Sequence, residues 1–203
     1  MNIAIKQSFW ALALIYLIAM LGSPFAFEWV IKAAPIWLLA FAVLRAPSVP
    51  AKPWLLVAIL ISSLGDVLLE LNLFVFGLGA FLIAQLTYGV LFARRFAWRP
   101  DRFAWAVFLL VWAMAVLVWC WPNLSALTVP VLAYMVAILF MGVAALNSRF
   151  ALYPAFFGAA VFILSDSLIA IGLFASPFPG QPWAVMLTYY LAQFCIVRTL
   201  LRD

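Results

Sequence analysis

The sequence predicts an all-α fold: a polytopic helical membrane protein with eight transmembrane helices. Of its 203 residues, 70% are hydrophobic and only 8% are charged. Soluble domains of this size carry about a quarter charged residues, so a soluble globular protein is excluded, and so is disorder. The apolar residues also stand in long unbroken runs rather than alternating with polar ones, which is unlike the strands of a membrane β-barrel. Short segments rich in Pro, Gly, Ser and Asn separate these runs.

Eight apolar runs approach the length of about 20 residues that a transmembrane helix needs. They are Gln7–Leu21, Glu28–Leu44, Trp54–Leu71, Phe74–Phe92, Phe103–Trp121, Leu127–Ala145, Ala151–Phe174 and Trp183–Leu200. The connections are too short for a soluble domain, so residues 1–203 are predicted to form a single integral membrane domain. The first run is predicted to be retained rather than cleaved as a signal peptide, because no small-x-small cleavage site follows it.

The basic residues lie almost entirely on one side of the predicted spans. Ten of the 11 Lys and Arg residues fall at the N-terminus, in the even-numbered connections or at the C-terminal end of the chain, all on one side, and the eleventh, Lys32, lies inside the second span. The positive-inside rule therefore predicts that both termini are cytoplasmic, as is typical of a bacterial inner-membrane protein. Because this placement accounts for the net charge of +5, no nucleic-acid partner is predicted.

A short segment recurs 100 residues along the chain. LGDVLLELNLF begins at Leu64 and LSDSLIAIGLF begins at Leu164, and five of the eleven positions are identical, including Asp66 and Asp166. Both segments belong to spans that run in the same predicted direction. This pattern predicts two parallel four-helix repeats, residues 1–99 and 100–203.

Five ionisable residues lie within or at the rim of the predicted spans: Glu28, Lys32, Asp66, Glu70 and Asp166. A charge within a span costs about 2.5–3.5 kcal/mol on insertion scales and usually faces a protein interior or a wet cavity. The rise per residue places Asp66 about 18 Å and Asp166 about 22 Å from the cytoplasmic ends of their spans. The charges therefore share one layer in the outer half of the bilayer, which predicts a common cavity.

Two carboxyl groups facing one apolar cavity indicate acid–base chemistry. One can keep its proton while the other is ionised with the help of Lys32, as in the paired carboxylates of glycosidases. Such a pair, Asp66 and Asp166, suits a substrate whose cleavage begins with proton transfer and passes through an oxocarbenium ion. The chain has no His, which excludes a Ser–His pair, and its two Cys cannot form a four-ligand zinc site. No metal and no cofactor are predicted.

Polar side chains at nearby levels are predicted to position the substrate and a water molecule. An apolar cavity in the outer half of the bilayer suits a single-chain lipid entering sideways, so membrane lipids are predicted partners. Lys32 would keep an Asp ionised. The predicted binding residues are Lys32, Glu70, Gln85, Tyr88, Tyr134, Tyr190 and Gln193, with Ser165 beside Asp166.

Several short motifs, which follow one another along most of the chain, resemble those of a known family. They are Lys32-x-x-Pro35, Leu64-Gly65-Asp66-x-x-Leu69, Ala84-Gln85-x-x-Tyr88, Pro130-Val131-x-x-Tyr134, Ser165-Asp166-x-x-Ile169 and Tyr189-Tyr190-Leu191-Ala192-Gln193. In their order and spacing the chain resembles the YhhN-like lysoplasmalogenase family of small eight-span membrane proteins. The resemblance implies a lysophospholipid substrate and hydrolysis of the vinyl ether bond of lysoplasmalogens to a fatty aldehyde and a glycerophospho-base, with Asp66 and Asp166 as the family's two aspartates. With such a substrate, Lys32 would either hold the phosphate or keep its partner Asp ionised. The family commonly has His where this chain has Gln85.

Two other functions are compatible with buried carboxylates and parallel repeats. A proton-coupled lipid or small-molecule transporter would move its substrate without breaking a bond. A catalytically silent lipid-binding protein would bind lipid tightly without turnover, and Gln85 would then mark the lost activity. The sequence predicts no oligomeric state.

Overall fold

The computed structural model describes residues 1–47 and 49–202, and within them it contains eight α-helices and no β-strand. Ser48, in the predicted second connection, lies outside the described residues. The all-α prediction is therefore confirmed. The helices are α1 Ile3–Ala19, α2 Glu28–Arg45, α3 Lys52–Glu70, α4 Phe74–Ala93, α5 Phe103–Cys120, α6 Thr128–Leu146, α7 Leu152–Phe174 and α8 Gln181–Leu200.

Most helix boundaries lie within a few residues of the predicted spans. The largest difference is at α1, which begins at Ile3 instead of Gln7. The side-chain oxygen of Asn2 accepts a hydrogen bond of 2.9 Å from the backbone N–H of Ile5, which caps the helix ahead of the apolar run. Lys6 consequently lies on the first turn of the helix rather than before it.

In the described part of the chain, seven helices are long and apolar enough to cross a membrane by length and composition. The exception is α2, whose 18 residues include Glu28, Lys32 and Arg45. It packs between α1 and α3, and its buried charges find partners on these neighbours and on the α1–α2 connection. The helix forms at the predicted place, although its charges lower its hydropathy.

The order of helix contacts around the bundle is α1, α2, α3, α4, α6, α7 and α8. Helix α8 then contacts α1, α2 and α3, which brings its buried face into the middle of the bundle. Helix α5 stands outside this order and packs against α6 and α7. The interior is thus shared chiefly by α3, α4, α6, α7 and α8, the helices that carry most of the predicted site residues.

Hydrogen bonds group the connections at the two ends of the bundle. The backbone N–H of Ala97 donates to the carbonyl of Asn147 at 2.7 Å, and the Arg102 guanidinium donates to the carbonyl of Leu146 at 2.6 Å. These bonds bring the fourth and sixth connections, both basic, to one end. At the other end, the Asn123 amide donates to the carbonyl of Phe174 at 2.7 Å, which joins the fifth and seventh connections.

Candidate active site

Asp66 is the centre of a buried hydrogen-bond network that links α3, α4 and α8. Its side chain accepts a bond of 2.6 Å from the Tyr189 hydroxyl, and that hydroxyl lies 3.1 Å from the Ser62 oxygen. The Gln193 amide donates to Ser62 at 2.6 Å, and the Tyr88 hydroxyl donates to the Gln193 carbonyl oxygen at 2.9 Å. Asp66 is only 4% exposed. Its carboxyl group is therefore held in place by polar neighbours on two other helices.

Asp166 belongs to a second network, which links α7 to α6 and α4. Its Oδ2 atom accepts a hydrogen bond from the Tyr134 hydroxyl. That hydroxyl is also 3.5 Å from the amide nitrogen of Gln85. The Gln85 carbonyl oxygen is buried and has no hydrogen-bond partner among the described residues. The two carboxyl groups predicted from the repeat thus have different partners on different helices.

The remaining charged groups of the site lie near the start of α2 and the end of α3. The Lys32 ammonium group is 2.8 Å from Oε2 of Glu70. Glu28, one helical turn before Lys32, accepts hydrogen bonds from the Tyr16 hydroxyl at 3.2 Å and the Ser23 hydroxyl at 2.8 Å. Of the five ionisable residues predicted to share one cavity, Glu28, Lys32 and Glu70 line the same one.

Three adjoining cavities run along these side chains. The outer cavity, of about 540 Å³, contains the charged groups of Glu28, Lys32 and Glu70. It shares Leu69, Phe74, Ile169 and Leu173 with a middle cavity of about 70 Å³. The middle cavity in turn shares Val131, Tyr134, Asp166 and Ala170 with a third cavity of about 80 Å³ beside α5, called here the α5 cavity. A polar space thus leads into two apolar ones.

The two aspartates stand differently toward these cavities. Asp166 lines both the middle cavity and the α5 cavity, whereas Asp66 lines none of the three. Phe81 lines the middle cavity and packs edge-on against Tyr189, with ring centroids 6.1 Å apart. Asp66 is therefore connected to the middle cavity through Tyr189 and Phe81. Glu70, the partner of Lys32, lies four residues after Asp66 on the same face of α3.

Two predicted binding residues make structural bonds to backbone carbonyls. The Tyr190 hydroxyl donates to the carbonyl of Lys32 at 2.7 Å, and the Ser165 hydroxyl donates to that of Val185 at 3.0 Å. Neither residue lines any of the three cavities described above. In this structure Tyr190 fixes α2 against α8, and Ser165 fixes α7 against α8.

The residues predicted from sequence did not include Tyr189, which bonds to Asp66, or Glu28, which lines the outer cavity. Each carries a signal that could have identified it, because Tyr189 is four residues before Gln193 and Glu28 is four residues before Lys32. Such spacing places both members of a pair on one helix face.

Within the described ranges, no group of three His, Cys, Asp or Glu side chains is placed to hold a metal ion.

Comparison with known proteins gives one family and several named relatives. The model of the YhhN family matches residues 27–200. Proteins named lysoplasmalogenase from Mycobacterium bovis and Mycobacterium tuberculosis are each 41% identical over 152 residues, which cover 70% of this chain and 58% of the relative. Lysoplasmalogenase TMEM86A from Bos taurus is 30% identical over 159 residues, which cover 72% of this chain and 65% of the relative. The chain thus spans less than two thirds of the length of these relatives. No solved structure matches it.

Proposed function

The chain belongs to the YhhN family, and we propose that it is a membrane hydrolase that cleaves the vinyl ether bond of lysoplasmalogens to a fatty aldehyde and a glycerophospho-base. The relatives named lysoplasmalogenase support this proposal. The observation that carries it is the position of Asp166 and Tyr134, which line two apolar cavities that continue into a charged one.

The order of the cavities suits a single-chain lysolipid. Its hydrocarbon chain would occupy the middle cavity and the α5 cavity, and its phosphate would lie near Lys32 in the outer cavity. The vinyl ether joins the chain to the glycerol, so it would pass close to Asp166, between the apolar and charged spaces. Leu69 and Phe74 line both the outer and the middle cavity and would flank the lipid where it crosses between them.

In the proposed mechanism, Asp166 is the general acid. Its Oδ2 accepts the bond from Tyr134, which leaves Oδ1 as the oxygen that carries the proton. Transfer of that proton to the β-carbon of the vinyl ether converts the double bond into an oxocarbenium ion centred on the α-carbon. Water then adds to the α-carbon and returns a proton to Asp166, and the resulting hemiacetal collapses to aldehyde and alcohol.

Asp66 is the proposed ionised partner. The Tyr189 hydroxyl donates a hydrogen bond to it, and Lys32, which pairs with Glu70 one helical turn after Asp66, would bring a positive charge to the same face of α3. Each of these neighbours would favour the carboxylate form. A fixed negative charge near the reacting centre would stabilise the positive oxocarbenium ion. Asp66 would act at a distance, through its electrostatic field, because it does not line the cavities that Asp166 lines.

Gln85 is proposed to orient the attacking water. Its buried carbonyl oxygen has no partner among the described residues and is free to accept a hydrogen bond. Its amide nitrogen faces the Tyr134 hydroxyl. A Gln amide cannot shuttle protons at neutral pH, so in this scheme proton transfer is left to Asp166.

Release of aldehyde from a lysoplasmenyl lipid by the purified protein tests the proposal. We expect Asp166→Asn to lower kcat by about 100-fold or more, the usual contribution of a general acid. Asp66→Asn should lower it as well, and Asp101→Asn, at a 68% exposed carboxylate far from the cavities, serves as the control that retains activity.

Full activity in either Asp66→Asn or Asp166→Asn would refute the two-carboxylate mechanism. If the wild-type protein releases no aldehyde, the hydrolase proposal fails. Lipid flux in liposomes without cleavage would then identify a transporter, and tight lipid binding without turnover would identify a silent lipid-binding protein.

The proposed location is the bacterial inner membrane, with both termini in the cytoplasm. The distribution of basic residues supports this orientation, and the fourth and sixth connections, both basic, meet at one end of the bundle. In this orientation the outer cavity opens toward the non-cytoplasmic leaflet.

A further inference from the structure

Glu28 is a buried carboxylate without a cation of its own. Its side chain is 6% exposed, and each of its two oxygens accepts a hydrogen bond from a neutral hydroxyl group, Tyr16 on one side and Ser23 on the other. Among the described residues, no Lys or Arg lies within ion-pair distance of it. Carboxylates this deeply buried are almost always paired, so this one is suited to receive a positive group from outside the protein.

The cavity next to Glu28 also contains Lys32, a cationic group that can bind an anionic group such as a phosphate. Glu28 and Lys32 both line the outer cavity and lie four residues apart, on one face of α2. Their backbone positions differ in height by about 6 Å, the rise of slightly more than one helical turn. The outer cavity therefore presents a cationic group and an anionic group in succession along one helix.

We infer that Glu28 binds a primary ammonium group, carried by the headgroup whose phosphate lies against Lys32; this inference rests on the proposed function. A phosphoethanolamine headgroup has these two charges in the required order, joined by a two-carbon linker comparable in length to one helical turn. On this assignment the Lys32 ammonium group gives up part of its ion pair with Glu70 and binds the phosphate instead. Glu70, which also lines the cavity, stays close to the ammonium group and adds a second negative charge.

The surroundings of Glu28 distinguish a primary from a quaternary ammonium group. A primary ammonium has three N–H donors, and the Glu28 carboxylate and the Ser23 and Tyr16 hydroxyl oxygens are acceptors close together. A quaternary ammonium has no N–H donor and is usually recognised by a cage of aromatic faces. The aromatic side chains lining the outer cavity are Tyr16 and Phe74, which do not make such a cage around Glu28. The site should therefore select ethanolamine over choline headgroups.

Three lysolipids with the same vinyl ether chain test this inference on the full chain in detergent micelles. Their headgroups are phosphoethanolamine, phosphocholine and phosphate alone. We expect the wild-type kcat/KM for aldehyde release to favour phosphoethanolamine by about tenfold or more, the usual effect of a hydrogen bond to a charged group. Glu28→Gln should abolish that preference, whereas kcat/KM for the phosphate lipid, which has no ammonium group, should not fall.

The choice of Gln separates recognition from structure. Its amide keeps the shape of the carboxyl group and can still bond to Tyr16 and Ser23, and Glu28→Asp restores the charge and should recover part of the preference. Asp101→Asn, which removes an exposed carboxylate, is the matched control. Equal losses on all three lipids would show that Glu28 acts structurally and would overturn the inference, as would a wild-type protein that treats ethanolamine and choline lipids alike or prefers choline.

A binding measurement keeps this inference distinct from the hydrolase proposal. A lysolipid with a saturated alkyl ether cannot be cleaved by the proposed route, so its dissociation constant reports recognition alone. If the wild-type protein cleaves nothing but binds the ethanolamine form more tightly than the choline form, and Glu28→Gln removes that difference, the hydrolase proposal fails and the ammonium site stands. If the protein cleaves vinyl ethers but binds both forms equally, the hydrolase proposal stands and the ammonium site is refuted.

Discussion

Tyr134 is in direct contact with the proposed acid, Asp166. Its hydroxyl group donates to Oδ2 of Asp166, and in the proposed mechanism this bond leaves Oδ1 free to carry the transferable proton. The ring also lines both apolar cavities, so Tyr134→Phe removes the donor while keeping the cavity walls. We expect kcat to fall by about 2- to 10-fold, as for loss of a hydrogen bond between neutral groups, because Asp166 carries its proton in the proposed mechanism.

Aldehyde release at saturating substrate measures this effect of Tyr134→Phe. Tyr153→Phe is the matched control, because that side chain is 62% exposed and lies at the start of α7, away from the cavities. An unchanged kcat in Tyr134→Phe would mean that Asp166 does not depend on this bond, and would weaken its assignment as the acid.

The adjacent tyrosines of α8 show where prediction from sequence stops at the scale of a residue. Tyr189 and Tyr190 are both polar and both close to Gln193 along the chain, but consecutive residues point about 100° apart around a helix. Tyr189 faces Asp66, and Tyr190 faces the backbone of α2. The choice depends on the rotation of α8 in the bundle, and in a helix that is apolar on most sides the sequence pattern does not fix that rotation.

Gly158 allows the close packing of α7 against α8. A Cβ atom added there would lie 2.8 Å from the Cβ of Cys195 and 3.2 Å from the backbone nitrogen of Ile196. We expect Gly158→Ala to lower the free energy of unfolding by about 1–3 kcal/mol, the usual cost of overpacking, because two helices would have to move apart. Titration with SDS in mixed micelles measures this quantity.

The control for Gly158→Ala is Gly79→Ala on α4. No atom lies within 4 Å of a Cβ added at Gly79, so this substitution should be neutral or slightly stabilising. Similar losses in the two variants would show that the α7–α8 contact is not as close as described.

At the scale of helices, the apolar runs predicted the elements well and their neighbours poorly. The runs located all eight helices, and α2 differs from the seven apolar ones in carrying three charged residues, Glu28, Lys32 and Arg45. Nothing in them indicated that α4 packs against α6, or that α5 stands outside the main order of contacts. Lipid is as apolar as a helix surface, so hydrophobic periodicity carries little information about which face meets which partner.

For the whole molecule, the predicted orientation can be tested with single cysteines. The native Cys120 and Cys195 are buried, which makes the wild-type protein a silent background for maleimide labelling. Ser176→Cys lies in the seventh connection and should react with a membrane-impermeant maleimide in intact cells. Asp101→Cys lies in the fourth connection and should react only after the cells are permeabilised, because basic connections stay in the cytoplasm. The reverse pattern would invert the assigned orientation.

The repeat of residues 1–99 and 100–203 stays a prediction. It led to both aspartates, but their surroundings differ: Asp66 bonds to a tyrosine of α8, and Asp166 bonds to a tyrosine of α6. A repeat in sequence fixes which residues correspond, and it does not fix which helices surround them. The proposed roles of the two carboxyl groups, Asp166 as the acid and Asp66 as the ionised partner, therefore rest on the contacts in the structure and not on the repeat.

The series of cavities, charged at the outer end and apolar beyond Asp166, has a consequence for the fate of the products. Under the proposed reaction, the aldehyde group is formed beside Asp166, at the end of a hydrocarbon chain that extends past the half-buried Val116 and Met135 between α5 and α6. The glycerophospho-base is formed where water and charge meet. The fragments would depart into different phases, one dissolving in the bilayer and the other in the aqueous compartment. This separation would dilute each fragment away from the other and hold back the reverse condensation.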